Sequence, residues 1–436
     1  MSSTDLSALS AGLRDISPLK RIGRISRIAD GHVEITGLNT AALGDQVDLA
    51  RPDGKVLRGE IMALSAGGVE VMPEGSLDGF EVRCPATLKG PLRVFPNEDW
   101  IGRIWDSSGR PLDDGPPSRG SEPRLLQADP PPAAQRRGLG TRLETGVPVF
   151  NTMLPLVRGQ RIGLFAGSGV GKSTLLGSFS RNIEADVVVL ALVGERGREL
   201  RDFIETVLGP EGLARTVIVT ETSDKSPLER SRAALTAMCV AEFFRDKGRQ
   251  VLLLVDSVTR HAEAYRELRL SLGEPASFRG YPPSLAHRLM SLAERAGPGT
   301  AETGDITAVF SVLVQGDDMQ EPVADVLRGV LDGHTVLDRR IAERGRFPAV
   351  DLLRSVSRSL PAAASDEENR LITEARALLG TYDRAELMIQ SGLYTRGADP
   401  RIDRANACWP ALDDFLGGTG PQPVVESFER LKSIVV

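Results

Sequence analysis

The chain has 436 residues, too many for one ordinary hydrophobic core, so two or three domains are expected. Hydrophobic residues make up 41% and charged residues 26%, a soluble globular balance, and no apolar run approaches the ~20 residues needed to span a bilayer. A net charge of −6 argues against nucleic acid as a bulk partner, while leaving local basic grooves open.

Cys84, Cys239 and Cys408 lie far apart without C-x-x-C spacing, which reads as reduced thiols in a cytosol and implies no zinc site. The first residues, Met1-Ser2-Ser3-Thr4-Asp5, lack the basic-then-apolar order of a signal peptide. The expected location is cytoplasmic, with a peripheral position at the membrane left open.

Leu6, Leu9, Leu13 and Ile16 recur at steps of three and four, the pattern of an amphipathic helix that docks a partner; a frayed terminus is the alternative. From residue 20 to 95 short alternating runs such as Ile22-Gly23-Arg24-Ile25, His32-Val33-Glu34-Ile35 and Gly68-Val69-Glu70-Val71-Met72 are separated by Gly, Asp and Pro. That pattern predicts a small all-β barrel, with His32 structural. Residues 106 to 140, rich in Pro, Gly, Arg and Asp, read as a long connection draped over a scaffold.

Gln160 to Ser173 reads Q-R-I-G-L-F-A-G-S-G-V-G-K-S: an apolar strand, a glycine-rich turn, then Thr174 and the leucines of a helix. This is the context of a phosphate-binding P-loop. Its span Gly167, Ser168, Gly169, Val170, Gly171, Lys172, Ser173 and Thr174 is the expected nucleotide cradle, with backbone N–H groups turned inward at a helix N-terminus. Lys172 is expected to reach the β/γ-phosphates and the Ser173 hydroxyl to take a position on Mg²⁺. Ala166 stands where the strict motif has its first glycine, a modest change because the tight wrapping uses the later ones.

Val187 to Val193, Val217 to Thr220, Val251 to Val255 and Ile306 to Leu313 are near-continuous apolar runs, as in parallel strands covered on both faces. Pro227 to Lys247 reads as a long helix between two of them. Asp256 ends one run, the position of an acid that holds the water shell of Mg²⁺ beside a P-loop. Gly194-Glu195-Arg196-Gly197-Arg198-Glu199 follows another, where a carboxylate can orient an attacking water; alone, the run reads as a solvated helix start. After Pro361 the pattern turns helical: Ser365 and Glu368 form a capping box, and further stretches follow at 385–389, near Trp409 to Phe415 and at 424–434. The expected division is a docking segment at 1–18, a β-barrel at 19–95, a P-loop core at 96–360 and a helical domain at 361–436.

Barrel, P-loop core and helical end, in that order, resemble the catalytic subunits of rotary F- and V-type ATPases. G-E-R-G-R-E (194–199), L-L-L-V-D-S-V-T-R (252–260), G-Y-P-P-S (280–284) and S-V-S-R (355–358) fall in that family's order. F-A-G-S-G-V-G-K-S-T-L-L (165–176) and the run 316–339 look like the type III export ATPases, and R-G-V-L-D-G-H-T-V-L-D-R with G-R-F-P-A-V-D is most similar to the flagellar branch. The resemblance implies an α/β fold: a RecA/F1-like parallel-sheet core with a six-stranded-type N-terminal barrel and a helical C-terminal domain. It implies that Glu195 positions the hydrolytic water beside Arg196, that Asp256 is the Walker B acid, and that Phe347 stacks on adenine, with Tyr394 a second contact. Arg358 matches the arginine finger that reaches into a neighbouring subunit's site. Because Glu195 and Arg358 share one chain, identical copies can complete every site.

The implied activity is Mg²⁺-dependent ATP hydrolysis by a homohexamer that drives flagellar protein export. The implied partners are a stator-like regulator at the N-terminal segment, a coiled-coil stalk in the pore, chaperone–cargo complexes and the export gate, without nucleic acid. A virulence injectisome ATPase is the alternative. An RNA translocase is disfavoured because 20–95 carries only Phe80 and Phe95 as ring aromatics and no basic cluster. A non-catalytic nucleotide-binding subunit is disfavoured by Glu195. Asp317, Asp318 and Glu321 read as an exposed loop near the hexamer interior rather than a metal cluster, Arg401 and Arg404 as a solvated face, and His261, His287 and His334 as residues without a role.

Overall fold

The computed structural model describes residues 20–29, 31–314, 318–420 and 422–436. The amphipathic segment expected at 1–18 lies outside them, as does Asp317 of the acidic loop. Six strands, β1 (Ile22–Ala29), β2 (His32–Thr36), β3 (Asp45–Ala50), β4 (Val56–Ser65), β5 (Gly68–Pro73) and β6 (Pro85–Pro91), close into an antiparallel barrel in the order β1-β2-β5-β4-β3-β6. Alternation places Ile25, Val33, Ile35, Val47, Leu49 and Val71 in its fully buried interior.

Two short strands in the connection, β7 (Arg93–Val94) and β9 (Arg124–Leu125), pair with each other. The rest of the connection lies over the core and is pinned by arginines. Arg103 binds Asp113, Arg124 binds Asp246, and Arg137 binds Asp305 at 2.7 Å.

The core is an eight-stranded sheet built from β8 (Ile104–Trp105), β10 (Arg161–Ala166), β11 (Val187–Glu195), β12 (Thr216–Thr222), β13 (Val251–Asp256), β14 (Ile306–Leu313), β15 (Gly333–Leu337) and β16 (Val350–Ser357). Its order is β16-β15-β10-β14-β13-β11-β12-β8. Every pairing is parallel except that of β15 with β16, so the expected parallel sheet carries one antiparallel edge strand. The apolar runs are strands because both faces are covered. One face packs against α3 (Pro227–Asp246), α4 (Val258–Ser271), α5 (Leu285–Arg295) and α6 (Pro322–Val330). The other packs against α1 (Lys172–Asn182) and the C-terminal helices α7 (Asp366–Gln390), α8 (Pro400–Leu416) and α9 (Val424–Val435). The short helix α2 (Gly197–Asp202) follows β11.

Ser365 and Glu368 cap α7 reciprocally, as the sequence predicts. The helical stretch expected separately at 385–389 is the end of that same helix, which runs unbroken for 25 residues. Burial carries it across the weak helix formers near Gly380: Tyr382 is buried and stacks on Trp409 of α8 with ring centroids 4.1 Å apart. No helix among the described residues is long and apolar enough to cross a membrane.

The barrel meets the core through a buried ionic cluster and a small apolar patch of Met72, Leu228 and Leu268. Arg232 of α3, 3% exposed, binds Glu60 at 2.6 Å and Glu74 at 2.5 Å, and donates to Gln46 at 2.9 Å. A pair of this kind contributes little net stability against an apolar replacement, but losing one partner strands buried charge. Arg232→Ala is therefore expected to cost ~3–5 kcal/mol, read as a lower urea midpoint for loss of the barrel–core contact. An unchanged midpoint would show that the cluster does not hold the barrel to the core.

Candidate active site

β10 ends at Ala166, which is buried and lies in register with Leu313 of β14 and Leu337 of β15. The Ala166 carbonyl accepts the N–H of Val314 at 3.0 Å, so the missing first glycine leaves the strand end regular. The loop then needs left-handed backbone at two points, Gly169 (φ +77) and Gly171 (φ +84). Gly171 is also the N-cap of α1, and a Cβ there would stand 2.9 Å from Cδ1 of Phe347. Val170 is buried and anchors the loop, Gly167 is buried at its start, and Ser168, Gly169, Ser173 and Thr174 are exposed. The N–H groups of the first turn of α1 and the positive end of its dipole suit this opening to an anion.

β13 delivers Asp256 to the same edge, two strands away across β14. Asp256 is 3% exposed, and its Oδ1 accepts from both the Lys172 ammonium and the Ser311 hydroxyl, the latter at 2.7 Å. Its Oδ2 has no protein donor among the described residues. Glu195 ends β11. A β-bulge lies between Val193 and Glu195, and Gly194 (φ +66) makes the turn with Arg260 Cβ 3.5 Å from where its own Cβ would be. Bulges beside sites of this kind re-aim the next side chain.

The Glu195 carboxyl is pushed up to about 7, mainly by burial, further by the negative charge of Asp256, and against the pull of Lys172. It is thus poised to gain or lose a proton near neutrality. Arg196 stays at the surface, 3.6 Å from Glu199, as the N-cap of α2.

Phe347 presents an exposed ring over Gly171, at the mouth of the loop. Tyr394 sits between α7 and α8 with its hydroxyl bonded to the Asp399 carbonyl and to Asp403 Oδ1 at 3.0 Å. Those bonds tie it to the start of α8, with no bond to the loop among the described residues. Arg358 follows β16 at the other end of the sheet. Ser357 pairs with Gly333, and the Arg358 N–H donates to the Asp332 carbonyl, whereas Val350 pairs with Leu337 beside Ala166. The two ends are separated by about 13 Å of strand, before the length of the loop is added. Arg358 is exposed there and cannot serve its own P-loop.

No group of three His, Cys, Asp or Glu able to hold a metal occurs among the described residues. The site instead offers the Ser173 hydroxyl and Asp256 Oδ2. So sparse a set fits Mg²⁺, which keeps several waters and shares polyphosphate oxygens rather than entering an all-protein cage. In the acidic loop, Asp318 is paired with Arg279 at 2.7 Å. His261 is fully buried, and burial pushes its imidazole down to about 3. Sequence reasoning missed Ser311; its only signal is a hydroxyl interrupting the run A-V-F-S-V-L.

The ATP synthase alpha/beta family nucleotide-binding domain matches residues 146–357, and the type III secretion EscN ATPase C-terminal domain matches residues 364–432. The flagellum-specific ATP synthase of Caulobacter vibrioides is 43% identical over 94% of each chain. That of Salmonella typhimurium is 41% identical over 95% of this chain and 93% of its own. The assembled ATPase EscN of the enteropathogenic E. coli type III secretion system matches with a TM-score of 0.88 at 36% identity, covering 95% of this chain and 100% of the other. EscN in complex with its central stalk EscO matches with a TM-score of 0.86 at the same 36% identity and the same coverage. Identity of this order along almost the whole length, on a shared fold, means that the chain belongs to the ATP synthase alpha/beta family, in the branch of the flagellum-specific ATP synthases.

Proposed function

We propose that this chain hydrolyses Mg-ATP as a homohexameric motor of the flagellar type III protein export apparatus. The observation that carries the reading is a division on one chain. Lys172, Asp256 and Glu195 gather at the P-loop edge of the sheet, while Arg358 stands exposed at the opposite edge.

In this reading the triphosphate lies on the N–H groups of Gly167 to Thr174, and Lys172 turns from Asp256 to the β/γ-phosphates. Ser173 and, through water, Asp256 would hold Mg²⁺, which when bound would supply neutralisation of charge on the phosphate oxygens. Phe347 stacks on adenine, with Tyr394 at the edge of that pocket. Glu195 orients a water and takes its proton as the oxygen attacks the γ-phosphorus and the bond to the β-phosphate oxygen breaks. Arg196 lines the opening. Arg358 of a neighbouring copy stabilises the charge in the transition state.

The assembled state of EscN, and its complex with the stalk EscO, support a ring of identical chains around a coiled-coil partner. Assignment to the flagellar apparatus rests on the higher identity to flagellum-specific relatives than to EscN, 43% against 36%. The match of the C-terminal helices to the EscN type keeps an injectisome ATPase as the second reading. A stator-like regulator at residues 1–18, chaperone–cargo complexes and the export gate complete the proposed partners, with the ring working in the cytoplasm against the inner face of the membrane.

Two outcomes test this. Glu195→Gln and Arg358→Ala chains should each be nearly inactive, the second by ~10³-fold or more, and mixing them should restore activity. Mixtures that stay dead while wild-type monomer hydrolyses ATP would exclude the shared site. Because Glu195 accepts a proton, it must be ionised to work, so kcat/KM should climb with pH through about 7. A flat profile across that range would remove Glu195 from the proton path.

A further inference from the structure

Building on the proposed function, we infer that Ser311 is a positioning residue for Mg-ATP hydrolysis: it holds the Asp256 carboxylate in place after Lys172 has turned to the phosphates. β14 runs between the P-loop strand β10 and the Asp256 strand β13, in register with both. Ser311 pairs with Leu164 of β10 and lies one position beyond the Phe310–Val255 pair. Strand alternation therefore turns its side chain to the face of the sheet that carries Val309, Leu254 and helix α1. It is fully buried, and its hydroxyl donates to Asp256 Oδ1 at 2.7 Å.

Lys172 donates to the same oxygen. The two donors draw Asp256 to one side and leave Oδ2 turned from both, the atom available to a metal-bound water. These donors differ in what else they can do. Lys172 sits on a flexible stem at the start of α1 and is the one cation of the loop that can reach a phosphate. Ser311 is fixed within β14, and Asp256 is its one side-chain hydrogen-bond partner among the described residues. Once Lys172 leaves, Ser311 is the remaining protein donor to Asp256 among the described residues. Without it a buried carboxylate loses its orientation at the moment Mg²⁺ needs it. A hydrogen bond to a charged group is strong enough for this to be measurable.

The test uses the full chain with Ser311→Ala, Ser311→Cys and Ser311→Thr, and a fluorescent ATP analogue bound in EDTA and in Mg²⁺. Affinity in EDTA should match wild type in all three. In Ala and Cys chains the gain in affinity on adding Mg²⁺ should shrink about tenfold, and the Mg²⁺ concentration giving half-maximal hydrolysis should rise by a similar factor. Thr restores the hydroxyl and should restore both. If Ala proves too unstable to measure, Cys, close to serine in size and a poor donor, decides against Thr. Equal Mg²⁺ gains in every variant, or a loss of the same size in EDTA, would overturn the inference. A wild-type chain that bound no ATP would overturn the proposed function with it, a result distinct from a loss confined to the variants.

Discussion

The site depends on the strand register that brings Lys172 and Asp256 together. One is the first residue of a helix and the other the last of a strand, and they come from different parts of the chain. They meet because β10, β14, β13 and β11 are parallel and in register, so their carboxyl ends share one edge. That register is enforced by burial: Leu190, Leu253, Val309 and Phe310 are all fully covered, and slipping one strand would move their side chains to the wrong face. A sheet clad on both sides by apolar helices thus positions polar groups that would not otherwise associate.

The two flanking units are attached by different physics. The C-terminal helices share a continuous apolar core with the P-loop helix. Leu175, Leu176 and Phe179 of α1 belong to the same cluster as Ile372, Leu412, Phe415 and Leu431. The barrel instead keeps its own closed interior and meets the core through Arg232 and a small apolar patch of Met72, Leu228 and Leu268. It is held chiefly by directional bonds.

The sheet also separates functions by its two ends. At the P-loop end, buried charges of opposite sign lie close together, and Glu195, on the margin of that group, is raised toward neutrality by burial and by Asp256. At the other end Arg358 is exposed, its guanidinium donating to the Arg328 carbonyl and its backbone tied to Asp332, which also holds Arg161.

Much of this was legible in the order of residues because local patterns determine it. Gly169 and Gly171 announce a left-handed loop, the capping box at Ser365 and Glu368 announces a helix start, and apolar runs announce buried strands. Lys172, Glu195 and Asp256 are readable because each adjoins such a pattern. What tertiary structure alone decided concerns contacts between distant segments. The direction of β16 depends on its pairing with β15, and α7 continues past Gly380 because Tyr382 finds Trp409. Whether Arg358 faces its own site depends on strand register. Ser311 became visible only when β14 was seen between the two strands whose ends it links, since an isolated hydroxyl in an apolar run carries no sign of its partner.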